Sequence, residues 1–350
     1  MNTNTLMAEW QEQDAILLAF PHQNSDWKNY WTDIIPCYIN IINTIAQYQT
    51  VIVLCDDAST VSNYFDTNIQ KNCIFVQLKY NDTWARDFGV LSIVNDDKII
   101  LNNFIFNAWG NKFDATLDNQ INKKLYDNNI FIDSIEFNNI DFILEGGAVE
   151  SNGKGTILTT AKCVFNQNRN PTLTQEEIIH ALKKYLSANK ILVLYHGDIL
   201  GDDTDAHIDT LARYCNENTI AYVQTDDTTD AHYLELLLME KELLQIANEK
   251  QYNLVPLPVP SPIYAPDDNR RLPATYANFL ILNDIVLMPT YNVTEDDLAI
   301  TQLQKAFSNK KVIGIDASAL ILQHGSLHCI TMQLPKNSIN KNNIGKIIII

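Results

Sequence analysis

Apolar residues fall into many short runs separated by polar turns, with no long apolar block. The runs AILLAF (15–20), TVIVLC (50–55), GVLSIV (89–94), KIILNNFIFN (98–107), TILTT (156–160), KILVLY (190–195), TIAYVQ (219–224), NFLILNDIVLMP (278–289) and KVIGID (311–316) are rich in β-branched residues and predict strands. Between them, 26–48, 58–70, 112–127, 174–188, 229–250 and 294–308 carry the spacing of helices. The 174–188 helix is expected to open on a capping box, Thr174 with Glu177. The 294–308 helix is expected to open the same way, on Thr294 with Asp297.

One order of elements recurs: helix, strand, short loop, a strand carrying a distinctive motif, then another strand. The motifs are WARDFG, FILEGGAVES, AHIDTLARY, YANFLIL and LHCITMQL. Their marker residues Asp87, Glu145, His207, Asn278 and Cys329 are 58, 62, 71 and 51 positions apart. Five equivalent units predict an α/β fold: a fivefold pseudo-symmetric propeller around a central site, with residues 1–350 as one catalytic domain of five pseudo-repeats. A doubly wound parallel sheet is the alternative, disfavoured because each helix comes with about three strands. The proline-rich run 256–266 precedes a motif and suits either a rim or lid over the site or a rigid surface crossover.

Composition narrows the partners. The chain has 25 basic and 42 acidic residues, a formal charge of −17. That field repels nucleic acid and anionic membrane and attracts cations, although it also serves solubility alone. The six cysteines are at least 18 residues apart, so there is no CxxC pair. Cys55, Cys73 and Cys163 sit in or beside apolar runs and read as core thiols. The segment MNTNTLMAEW lacks a basic and an apolar leader region, and no apolar run approaches membrane-spanning length. A cytoplasmic protein is expected, with homo-oligomerisation left open.

The motifs combine a thiol, an imidazole and three carboxylates: Cys329, His207, Asp87, Glu145 and Asp209. This set suits attack on a planar, cationic, nitrogen-rich carbon, most simply a guanidinium. Carboxylates at Asp87 and Asp209 can hold both edges of the fork. Cys329 then attacks from above the plane. His207 protonates the leaving nitrogen and later activates water, with Glu145 orienting it. Trp84 and Trp109 can stack on a flat cation; core packing is the alternative for both and is preferred for Trp109. The run GDDTDAHID could hold calcium, but it lacks the glycine and terminal glutamate of an EF-hand, which disfavours a metal there.

As a set, Trp84-Ala85-Arg86-Asp87, FNAWGNKF (106–113), Glu145-Gly146-Gly147, GDDTDAHID (201–209), LPATYANFLI (272–281) and His328-Cys329-Ile330-Thr331 resemble the agmatine deiminase and bacterial peptidyl-arginine deiminase family of the guanidino-group-modifying superfamily. The resemblance spans roughly residues 8–335. It implies the fivefold propeller, a Cys329 nucleophile, a His207 acid/base, Asp87 and Asp209 on the guanidinium, and Glu145 supporting the histidine, with no cofactor or metal. The family usually carries proline where this chain has Val90 and glycine where it has Ala206. The implied substrate is agmatine, hydrolysed to N-carbamoylputrescine and ammonia through a cysteine thiouronium, on a route to putrescine. Asp202, Asp203 or Asp205 would meet its amine. Free or peptidyl arginine is the nearest rival and would need a basic anchor from Arg213, Arg270 or Arg271. Amidino transfer, a non-catalytic guanidine binder and a cysteine protease are the more distant ones.

Overall fold

The computed structural model of the protein describes residues 4–95 and 98–350. Residues 1–3, part of the stretch read above for a leader, lie outside it, as do 96 and 97.

The described residues form five separate sheets, not one doubly wound sheet. Each begins with a short strand just after a marker residue: Leu91–Val94 after Asp87, Glu150–Ser151 after Glu145, Ala212–Asn216 after His207, Leu280–Ile281 after Asn278, and Met332–Pro335 after Cys329. In every sheet this strand pairs antiparallel with a second, and the second pairs parallel with a third. The parallel step needs a crossover. Helices Asp118–Asp127, Gln175–Tyr185, Tyr233–Lys250 and Asp296–Ala306 supply it in four sheets, and Trp31–Ile45 supplies it in the fifth. The fifth sheet joins the two ends of the chain, because Met332–Pro335 pairs with Gln13–Ala19.

Packing follows the helical spacing. Ile34, Tyr38, Ile41, Ile42 and Ile45 are buried along one face of their helix, and Leu236, Met239 and Leu243 along theirs. The Thr174–Glu177 capping box forms as expected. At the other expected cap Thr294 makes none; Asp296 instead accepts the backbone N–H groups of Tyr291 and Val293 and so fixes the turn before the helix. The 26–48 helix divides into a 3₁₀ turn, Asp26–Tyr30, and Trp31–Ile45. The 58–70 helix divides because Asp66 caps a new start at Thr67. The 112–127 helix begins only at Asp118, behind a tight turn in which Ala108, Trp109, Gly110 and Asn111 all have positive φ. The 278–289 run is a hairpin of Leu280–Ile281 and Ile285–Thr290 turning at Asn283-Asp284. Among the described residues no helix is long and apolar enough to cross a membrane, and all six cysteines are free thiols.

Candidate active site

The motif residues were expected on strands, but the structure puts them in short turns immediately ahead of the strands. Asp87 lies in the single helical turn Ala85–Phe88, and Glu145 precedes the 3₁₀ turn Gly146–Ala148. His207 precedes the turn Ile208–Thr210, which holds Asp209. Turns at strand ends aim side chains off the sheets, and here they aim at one place.

Gly147 is the pivot. A Cβ on it would lie 2.6 Å from His207 Nδ1, 2.9 Å from Asp87 Oδ1 and 3.2 Å from Asp209 Oδ2, so only glycine admits these three groups around one backbone atom. Asp87 Oδ1 accepts the Gly147 N–H at 3.1 Å, and Asp87 Oδ2 accepts the indole N–H of Trp109 at 3.0 Å. Trp109 was read as core packing, yet it also holds this carboxylate. Cys329 Sγ sits 3.8 Å from Asp209 Oδ2 and 3.3 Å from Asn278 Nδ2. Asn278 Oδ1 accepts the backbone N–H groups of His328 and Cys329 and so sets the nucleophile turn. Asp87, Glu145, His207, Asp209, Asn278 and Cys329 are each at most 5 % exposed.

Burial shapes the titrations. It lifts the Asp87 carboxyl to about 6, against the pull of His207. Burial alone would lower His207, but the nearby Asp87, Cys163 and Glu145 outweigh it and raise the imidazole to about 10. Burial, then the charges of Asp209 and Asp87, push the Cys329 thiol well above its ordinary value. For Asp209, burial is overcome by His328, and the carboxyl is held below the usual range. Both ring nitrogens of His207 and Asp209 Oδ1 are buried without a hydrogen-bond partner.

A narrow pocket of about 40 Å³ opens onto Cys329. Asp26, Asp82, Asp87 and Asp203 line it with Trp84, Trp109, Phe113 and His324, and among the described residues no lysine or arginine does. Asp82 carries a carboxyl lifted to about 6 by burial. Gly325 lies against Trp84 so closely that a Cβ would come within 2.1 Å of the ring. Of the acids expected near a substrate amine, only Asp203 reaches this wall. Asp205 binds Arg169 at 2.6 Å, and Asp202 accepts the Thr204 hydroxyl and the Ala206 N–H. Ala206 has φ 63°, the left-handed conformation that suits the family's usual glycine. The run 256–266 adds no residue to the pocket wall.

Three partners carried no sequence signal. Arg169 Nε donates to both oxygens of Glu145 at 2.9 and 3.0 Å, so the hydrogen bonds of Glu145 go to an arginine. Glu9 Oε2 lies 2.7 Å from His328 Nε2, and Asp209 Oδ2 lies 2.7 Å from His328 Nδ1. Arg213 joins Glu9 at 2.5 Å and also binds Glu150. Glu9 and Asp209 are both held below the usual carboxylate range.

A buried thiol, an imidazole and carboxylates gathered on a five-sheet α/β frame are groups suited to a hydrolase acting on C–N bonds. The chain belongs to the Porphyromonas-type peptidyl-arginine deiminase family, whose model matches residues 5–335. It is 29% identical to the agmatine deiminase of Pseudomonas aeruginosa (strain LESB58), with 94% of each chain covered. It superposes on a serine-for-cysteine variant of the C. jejuni agmatine deiminase with substrate bound at a TM-score of 0.90, with 39% identity over 97% of this chain and 98% of that one. An agmatine deiminase of Enterococcus faecalis gives 0.87 at 26% identity, covering 95% and 96%.

Proposed function

We propose that the protein is an agmatine deiminase, hydrolysing the guanidinium of agmatine to N-carbamoylputrescine and ammonia. The observation that carries this is the arrangement about Gly147, where Asp87, Asp209 and an unpartnered His207 meet, together with the pocket of acids and aromatics that Asp87 and Cys329 help to line. Asp87 and Asp209 bind the guanidinium edges. Cys329 Sγ bonds to the central carbon, and ammonia leaves with a proton from His207. Water, deprotonated by His207, then adds to that carbon, and the C–S bond breaks to release the ureido product and the thiolate. Glu145, fixed by Arg169, supports the imidazole. We read the five sheets as blades of a fivefold propeller, since each blade contributes one marker residue, and the chain as one catalytic domain.

Agmatine is preferred over arginine because its far end is an ammonium. The pocket wall offers that end Asp26, Asp82 and Asp203, and it offers a carboxylate no arginine. The three arginines available for such an anchor are engaged elsewhere: Arg213 with Glu9 and Glu150, Arg270 with Asp268 and the Leu322 carbonyl, Arg271 with Asp230. The relatives named agmatine deiminase support the same substrate. The test is ammonia and ureido release from agmatine, free arginine and an arginine peptide side by side. Turnover of agmatine, lost in Cys329→Ala, is expected. Preference for arginine or peptide overturns the substrate, and turnover by the variant overturns the nucleophile.

A further inference from the structure

A second thiol lies behind the acid/base. Cys163 sits in the short helix Ala161–Val164 that follows the strand Thr156–Thr160. The Thr160 hydroxyl donates to the Ala206 carbonyl at 2.7 Å and ties this segment to the His207 turn. As a result, one ligand atom each from Glu145, Cys163 and His207 lie within 4.8 Å of one another, all buried. Bonds of about 2.0–2.3 Å from sulfur, nitrogen and oxygen to one tetrahedral ion place ligand atoms roughly 3.5 Å apart, so modest side-chain movement closes the set.

The lone pairs decide whether such a cluster can hold an ion. Glu9, Glu150 and His328 form a cluster of the same size. There both imidazole nitrogens already meet carboxylates, and Arg213 fills the centre of charge. In the Glu145 cluster neither His207 nitrogen has a hydrogen-bond partner, so an ion has only the protons of His207 and Cys163 to displace there. Arg169 bonds Glu145 through one N–H and leaves each oxygen a further lone pair. It also anchors the carboxylate, as outer hydrogen bonds do for ligating groups. A thiolate, an imidazole and a carboxylate with a fourth position open is a donor set for borderline and soft divalent ions. The pocket reaches it through Asp87, whose Oδ1 is 3.6 Å from His207 Nδ1.

We propose that Glu145, Cys163 and His207 form a regulatory site for a thiophilic divalent cation, Zn²⁺ or Cd²⁺, which when filled takes His207 out of acid–base service. The effect on turnover rests on the deiminase reading above, whereas the binding does not.

The test is a Cd²⁺ titration followed by thiolate-to-metal charge-transfer absorption, in a Cys37→Ser background that removes the half-exposed thiol. One equivalent is expected to bind, equally in the added Cys329→Ser variant, and roughly tenfold or more weakly in Cys163→Ser and His207→Asn. Absorption that survives Cys163→Ser unchanged, or that disappears with Cys329→Ser, overturns the site. If Cys163→Ser does not fold, His207→Asn with Cys329→Ser decides: unchanged affinity in the first, or lost absorption in the second, overturns it. Zn²⁺ should also suppress ammonia release from agmatine in the Cys37→Ser protein, reversibly by chelator. An enzyme fully active with the site filled overturns the regulatory role. Absence of all turnover, with the absorption as expected, overturns the deiminase reading and leaves the site standing.

Discussion

The nucleophile should be protonated until its substrate arrives. In the free protein Cys329 is buried beside Asp209 Oδ2 at 3.8 Å, with Asp87 as a second anion, and its thiol stands well above the ordinary value. A guanidinium bound between Asp87 and Asp209 brings a positive charge to about 4 Å from the sulfur. At an effective dielectric of about 20, that contact favours the thiolate by about 4 kcal/mol. Divided by 1.36 kcal/mol per unit, this lowers the thiol pKa by about three units. The assay is the pH dependence of kcat/KM, which reports free enzyme, against that of kcat, which reports the complex. The ascending limb of kcat/KM should lie above the ordinary thiol value of about 8.5. The limb of kcat should lie below that of kcat/KM by about three pH units. Asp87 titrates near 6, below the free-enzyme thiol limb. Alkylation of Cys329 in the free protein by neutral iodoacetamide, read by peptide mass, should rise with pH throughout the neutral range without a plateau. Coincident limbs, or fast alkylation at neutral pH, would refute substrate-assisted ionisation and place the activating charge in the protein.

Other perturbations probe single contacts. Gly147→Ala puts a methyl 2.6 Å from His207 Nδ1 and 2.9 Å from Asp87 Oδ1; a misplacement of this order should lower kcat about 10²-fold, and near-normal turnover would show the site relaxes around it. Arg169→Met leaves the fully buried Glu145 unpaired; a loss of about 3–5 kcal/mol is expected in urea unfolding, and an unchanged midpoint would contradict it. Trp109→Phe keeps a ring but removes the N–H donor to Asp87. Asp87 must be ionised to bind a cation, and that donor favours the ionised form, so its loss moves the acidic limb of kcat/KM from near 6 to higher pH, by about one unit; a limb that stays put or moves down would break the argument.

The meeting of the marker residues was legible in the sequence because each motif holds a polar or thiol side chain just ahead of one of the five sheets. The wrong detail, strands where the structure has turns, came from the apolar runs that follow: WARDFGVLSIV reads as one strand until Asp87 is seen in its own helical turn. The split of 58–70 turned on Asp66, a cap that helical spacing alone does not weigh. What was not legible is the counter-charge. Glu9 and His328 touch across 319 positions, and Arg169 meets Glu145 from a loop with no motif. Cys163 read as a core thiol by its apolar neighbours, which is true of its burial and silent about His207.

Those hidden counter-charges answer a physical difficulty in the function itself. A pocket for a cation needs several carboxylates close together, and buried carboxylates that are unpaired repel one another and protonate. Asp87 and Asp82, near 6, show the strain where no arginine intervenes. Asp209 escapes it beside His328, behind which Glu9, Arg213 and Glu150 follow in contact, every member buried. Glu145 is paired with Arg169. Buried pairs of this kind do little for net stability against an apolar core. Their retention here is explained by what they keep available: an Asp209 carboxylate held ionised, with Oδ1 unpartnered, beside the thiol that a bound guanidinium must activate.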